Sequence, residues 1–129
     1  MEKKSRCFMI MPFHEDFQET YQFVIKVAVE RKGFLCERAD EIMATGNVIR
    51  QVLESTDEAN VVIADLTNNN PNVLYELGLA HGLRKHVIIL AQDEKWIPFD
   101  LRHYRTVIYD TGSPRKIAKC QELIGAALD

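Results

Sequence analysis

Short apolar runs alternate along this chain with segments whose apolar residues recur at helical spacing. Residues 6–11 (RCFMIM) predict a buried strand that Pro12 halts. From Phe17, apolar side chains follow at Tyr21, Val24, Ile25, Ala28 and Val29, the spacing of a helix that Gly33 ends. Residues 34–38 (FLCER) predict a short second strand. After a polar turn, Val48, Ile49, Val52 and Leu53 mark a second helix, and residues 61–64 (VVIA) a third strand. Val73, Leu77 and Ala80, with Leu74 beside them, predict a third helix. Residues 87–90 (VIIL) show no alternation, as expected of a strand covered on both faces, and residues 106–109 (TVIY) predict a shorter edge strand. Ile117, Cys120, Leu123, Ile124 and Leu128 complete a last helix.

Strands and helices in strict alternation predict an α/β fold of three layers, flavodoxin-like, with a five-stranded parallel sheet in the order 2-1-3-4-5. The switch point of that order lies between the first and third strands, and ligands of such sheets bind beyond the carboxyl ends of the strands there. The loops 12–16 and 65–72 are therefore expected to face each other. The connection from Gln92 to Arg105 is long for this fold, and its aromatic and basic residues suit a lid or an oligomer contact.

Composition narrows the picture. The 129 residues predict a single domain, 1–129, with apolar residues at 47% and charged residues at 27%, ordinary for a globular protein. A net charge of −3 argues against a broad nucleic-acid surface. No apolar run approaches the roughly 20 residues that cross a bilayer, so no membrane partner is expected. The opening residues do not read as a secretory signal, which predicts a cytoplasmic protein. Cys7, Cys36 and Cys120 are scattered and odd in number, which speaks against a disulfide framework and for small buried apolar residues. No histidine stands at ligand spacing from cysteine or carboxylate, so a metal is not expected, and nothing in the sequence calls for a cofactor.

The chemistry concentrates around Asp65 and Glu76. Asp65 ends an apolar strand, and Glu76 follows a helix start made by Asn70, Pro71 and Asn72, either asparagine being a suitable cap. Both carboxylates are expected to aim at one crevice. The helix dipole is expected to favour the charged form of Glu76, and the small Gly78 and Ala80 to let the helix pack closely on the sheet. A charged, partly shielded carboxylate suits nucleophilic attack on an electrophilic sugar carbon. The bland alternatives are an acidic residue placed by the dipole and an Asp that caps its own loop.

The segments 62–67 (VIADLT) and 75–80 (YELGLA), with Met11-Pro12-Phe13, Arg38-Ala39-Asp40 and residues 97–102 (IPFDLR), resemble the nucleoside 2-deoxyribosyltransferase-like superfamily, deoxynucleotide N-glycosidases included. More loosely, the chain is similar to TIR-type domains. The resemblance implies an N-glycosidic bond hydrolase or transferase acting on a nucleoside, a nucleotide or NAD. It makes Glu76 the nucleophile and gives Asp65 a part in positioning ribose or in the catalytic network. Tyr75 then packs on the base or belongs to the core. Members of this group complete each site with a neighbour's residues, which implies a homo-oligomer; the 96–104 loop and the last helix are the candidate donors.

Two departures from the pattern bear on the substrate. Asn70 stands where the transferases tend to carry an aspartate, so a hydrogen bond to a hydroxyl remains but proton removal does not. The loop of Pro12, Phe13 and His14 lacks the glycines of the nucleotide hydrolases and brings Glu15 and Asp16 close to any phosphate. Arg38 is then the nearest phosphate partner, or else an ordinary surface arginine. Nicotinamide leaves NAD without a general acid, whereas a neutral base needs a proton, for which His14 is the candidate. His81, about a turn beyond Glu76, either orients it or faces the core. Asn72 completes the expected substrate contacts. The competing reading is a non-catalytic nucleotide-binding or TIR-like signalling module; a phospho-receiver fits worst, because no lysine follows the fifth strand.

Overall fold

The computed structural model describes residues 4–12, 14–38 and 48–129. Its five parallel strands are β1 (Arg6–Ile10), β2 (Leu35–Arg38), β3 (Val61–Asp65), β4 (Val87–Ala91) and β5 (Thr106–Ile108). They lie in the order β2-β1-β3-β4-β5, as the apolar pattern predicts. In register, Cys7 stands between Cys36 and Val61, Asp65 beside Leu90, and Met9 beside Arg38.

Helix α1 covers residues 15–31 in three stretches: an α turn over Glu15–Glu19, a π segment over Thr20–Ile25, and α again over Lys26–Arg31. The wider π turn, marked by the Lys26 N–H donating to the Tyr21 carbonyl, buries Tyr21, Val24 and Ile25 while Phe23 stays exposed. Gly33, at φ 87°, supplies the left-handed residue that ends this helix. Helices α2 (Val48–Glu58), α3 (Pro71–Gly82) and α4 (Pro114–Leu128) follow.

The pleat sorts side chains into two cores. On the α1 and α4 face, Met9, Ile63, Ile88 and Leu90 meet Tyr21, Ile25 and Ile124. On the α2 and α3 face, Phe8, Val62, Ala64 and Ile89 meet Val52, Leu77 and Ala80. Each large side chain fully buried in these layers contributes about 1.5–3 kcal/mol. The three cysteines are buried and unbridged.

Alternation fails in one place. Between β4 and β5 no helix crosses over; residues 92–105 form two short 3₁₀ turns, Glu94–Trp96 and Phe99–Leu101. This connection is packed down: Ile97 is buried, and Trp96 and Leu101 rest on the α3-side core. His81 does not turn to Glu76. Its ring stacks on Tyr104 at 4.5 Å between centroids, tying the end of α3 to the loop. Among the described residues no helix is long and apolar enough to cross a membrane.

Candidate functional site

A cleft of about 320 Å³ opens at the switch point between β1 and β3. Met11 and Pro12, just beyond β1, form one wall, and Ile49 of α2 closes one side. Asn70, Asn72 and Val73 from the start of α3 form the opposite wall, with Tyr75 and Glu76 one turn further on. The loops after β1 and β3 thus meet as expected, at a volume near the lower end for small-molecule sites.

The start of α3 is built from its own sequence. Asn70 is the cap: its side-chain oxygen accepts from the N–H groups of Asn72 at 2.9 Å and Val73 at 3.3 Å, and Pro71 holds the first helical position. The turn before it, Thr67–Asn69, places Asn68 and Asn69 at φ 68° and 50°, a conformation asparagine tolerates better than most residues.

Glu76 is half-buried in this cleft, and burial raises its carboxyl above the ordinary glutamate range. The expected dipole effect does not dominate, because Glu76 lies beyond the first turn, where that field has faded. Tyr75 is 59% exposed, which removes the core alternative and leaves its ring facing solvent at the cleft. Gly78 is exposed and has nothing near it, so it is Ala80 that brings α3 close to the sheet.

Asp65 does not share this crevice. It lies beside Leu90, on the same side of the pleat as Val61 and Ile63, and so faces the α1 and α4 layer. Its side chain is fully buried, and three donors reach it. Thr67 donates through its N–H at 3.0 Å and its hydroxyl at 2.7 Å to one oxygen, while the Tyr109 hydroxyl donates to the other. Gln92 extends the network: its N–H donates to Thr67 Oγ1 at 3.0 Å and its Nε2 to the Tyr109 oxygen at 3.2 Å. Burial raises the Asp65 carboxyl, and the bonds from Tyr109 and Thr67 draw it partly back. Burial and the neighbouring Asp65 charge push the Tyr109 phenol far above its usual range, so it remains a donor.

The remaining expected contacts separate in the same way. Arg38 sits beside Met9 on the α1 face and is 1% exposed, so it is not a surface residue. Its Nη2 donates to Gln18 at 2.6 Å, and its guanidinium stands 4.6 Å from the centre of the Tyr21 ring. Arg38 does not line the cleft, nor does His14. His14 is exposed and caps α1, its Nδ1 accepting from the Asp16 N–H at 3.2 Å. Phe13, Ala39 and Asp40 lie outside the described residues. Among the described residues there is no group of three or more potential metal ligands. Sequence reasoning missed Met11, Ile49 and Val73 in the cleft, which carry no chemical signature. It also missed Thr67, Gln92 and Tyr109 around Asp65, residues scattered over the chain and gathered by the sheet.

No family model matches this sequence, and no curated protein matches it either. The fold is shared with solved structures of low identity. A 2-deoxyribosyltransferase from Leishmania mexicana superposes with a TM-score of 0.65 at 20% identity, over 92% of this chain and 97% of the other. The CMP N-glycosidase BcmB of Clostridium botulinum gives 0.68 at 17%, over 92% and 98%. The TIR domain of the Toll-related receptor TRR-2 from Hydra magnipapillata gives 0.67 at 14%, over 95% and 98%. The flavodoxin-like architecture is therefore established at the level of the fold.

Proposed function

We propose that this chain is an N-glycosidic bond hydrolase or transferase acting on a nucleoside, a nucleotide or NAD, with Glu76 as its nucleophile. The observation that supports this best is the half-buried Glu76 carboxyl lining a ligand-sized cleft beside the exposed ring of Tyr75. Two structures of the same fold carry names that state this class of chemistry, a 2-deoxyribosyltransferase and a CMP N-glycosidase. In this reading a Glu76 oxygen attacks C1′ and the bond to the base breaks. The glycosyl ester is then released by water or by a second base. Tyr75 offers a face on which the base stacks, and the Asn70 and Asn72 side chains border the sugar. Asp65 acts at a distance, as a positioning residue that fixes the 67–69 turn from which α3 starts.

The test is incubation with NAD and a panel of nucleosides and deoxynucleotides, with free base measured by chromatography. Base is released from at least one compound, and Glu76→Gln abolishes the release; full activity in that variant refutes the mechanism. The second reading, a non-catalytic nucleotide-binding or TIR-like interaction module, draws on the likeness to the Hydra TIR domain. It gains if nothing is cleaved while a nucleotide raises the melting temperature. Self-association through the 92–105 loop belongs to the first reading. Phe99, 82% exposed on that loop, is its natural contact, and light scattering of Phe99→Asp checks it.

A further inference from the structure

The charges around the cleft carry information about the substrate. Among the described residues that line it, Glu76 has the only formal charge. Arg50, next to Ile49 along α2, is paired with Glu54 at 3.3 Å on the exposed side of that helix. Arg38 faces the opposite layer and is bonded to Gln18. Phe13 and residues 39–47 contain no lysine, arginine or histidine.

A helix start can hold a phosphate without any cation, through its free N–H groups. Here those groups are in use. Pro71 has none, Asn72 and Val73 donate to the Asn70 side chain, and Leu74 donates to the Asn70 carbonyl at 3.1 Å. Nor, among the described residues, does a second carboxyl or an imidazole line the cleft to protonate a departing base: Asp65 lies across the sheet and His14 caps α1.

We propose that the cleft selects a nucleoside whose base carries a positive charge and whose 5′ hydroxyl is unphosphorylated. This rests on the glycosidase reading above and narrows its substrate class. A cationic base placed on Tyr75 beside Glu76 compensates the carboxylate that burial disfavours. It also needs no general acid. As a Glu76 oxygen bonds to C1′, the C1′–N electron pair moves into the base and cancels its charge, so the base departs neutral. Water then displaces the carboxylate from C1′, leaving the free sugar and one proton to solvent. A 5′-phosphate, by contrast, meets the Glu76 carboxylate, a like-charge contact that no cation among the described lining residues relieves.

Two matched comparisons test this: 7-methylguanosine against guanosine, and nicotinamide riboside against its 5′-monophosphate. The 2′-deoxy forms of the guanosine pair run alongside, and spontaneous release is subtracted. The expected kcat/KM favours the cationic, unphosphorylated member by about tenfold or more in each pair. In binding, Glu76→Gln loses the preference for 7-methylguanosine over guanosine while still binding both. Base release that favours guanosine or the monophosphate, or that is equal within each pair, overturns the selectivity and leaves the glycosidase reading standing. No release from any of these, nor from neutral deoxynucleosides or NAD, overturns both.

Discussion

The two faces of the sheet hold the two carboxyls on which the sequence draws attention, and they treat them in opposite ways. Asp65 is enclosed completely and receives three donors, so its oxygens are committed to tying the end of β3 to the Thr67 turn and to Tyr109, the residue after β5. Glu76 is enclosed only in part, and burial is the one influence that moves its carboxyl. Burial raises both groups above their ordinary values, yet for different uses. Where donors compensate burial, the carboxylate becomes structure. Where burial goes uncompensated at a cleft, the group keeps a demand that a ligand can meet.

The largest effects separate these roles. Glu76→Gln is expected to lower base release by about 10³-fold or more while leaving the denaturation midpoint in urea within the scatter of surface substitutions. Asp65→Ala should do the reverse. It orphans the Tyr109 hydroxyl and both Thr67 donors, each at about 1–3 kcal/mol, so a total destabilisation of about 3 kcal/mol or more is expected. Activity per folded molecule, measured below the melting transition, stays within about tenfold of the parent for a positioning residue. An Asp65→Ala protein that is fully stable but inactive breaks the contrast.

Which carboxyl would play which part was only half legible in the sequence. Strand positions were readable because each run is apolar and bounded by Pro, Gly or a polar turn, and the observed strands match the expected ones to within a residue at each end. The face taken by Asp65 was not readable. Residues 61–66 (VVIADL) are apolar on both sides of the pleat, so alternation, the one cue that orients a strand, is missing. Only the pairing of Asp65 with Leu90 fixes it. Arg38 escaped in a similar way. Its charge suggested solvent or phosphate, but the ring of Tyr21 and the amide of Gln18 let it be buried. The π segment of α1 left no mark on the apolar spacing. The Glu76 site, by contrast, was legible because its parts are adjacent along the chain: a cap, a proline and the first turns of one helix.

A smaller effect probes the enclosed side alone. Tyr109→Phe removes one donor from Asp65 and one acceptor from Gln92 at a cost of about 1 kcal/mol, read as a shift in the urea midpoint. The bond from Tyr109 is one of those that lower the Asp65 carboxyl, so its loss also lifts that carboxyl further. Direct titration by carboxyl-carbon NMR should show the Asp65 resonance moving to a higher midpoint, with the Glu76 resonance unchanged. A Glu76 shift of equal size shows that the two faces communicate and removes the separation on which the comparison stands.

The smallest expected effect is the most diagnostic for Glu76. An acid whose pKa is higher in the folded than in the unfolded chain binds its proton more tightly when folded. It therefore contributes stability that is complete below the unfolded value, about 4.3 for glutamate, and that is lost as pH rises through the folded value. Burial raises Glu76, so its ionisation at neutral pH weakens the fold. Glutamine resembles the protonated form and never ionises. The melting temperature of Glu76→Gln should thus match the parent at acid pH and exceed it slightly near neutrality. Base release in the parent should climb over the same interval, because only the ionised form attacks C1′. Coincidence of the two midpoints assigns both to one group. A stability difference that stays flat with pH means that Glu76 is not held in a desolvated cleft, and the distinction from Asp65 then rests on donors alone.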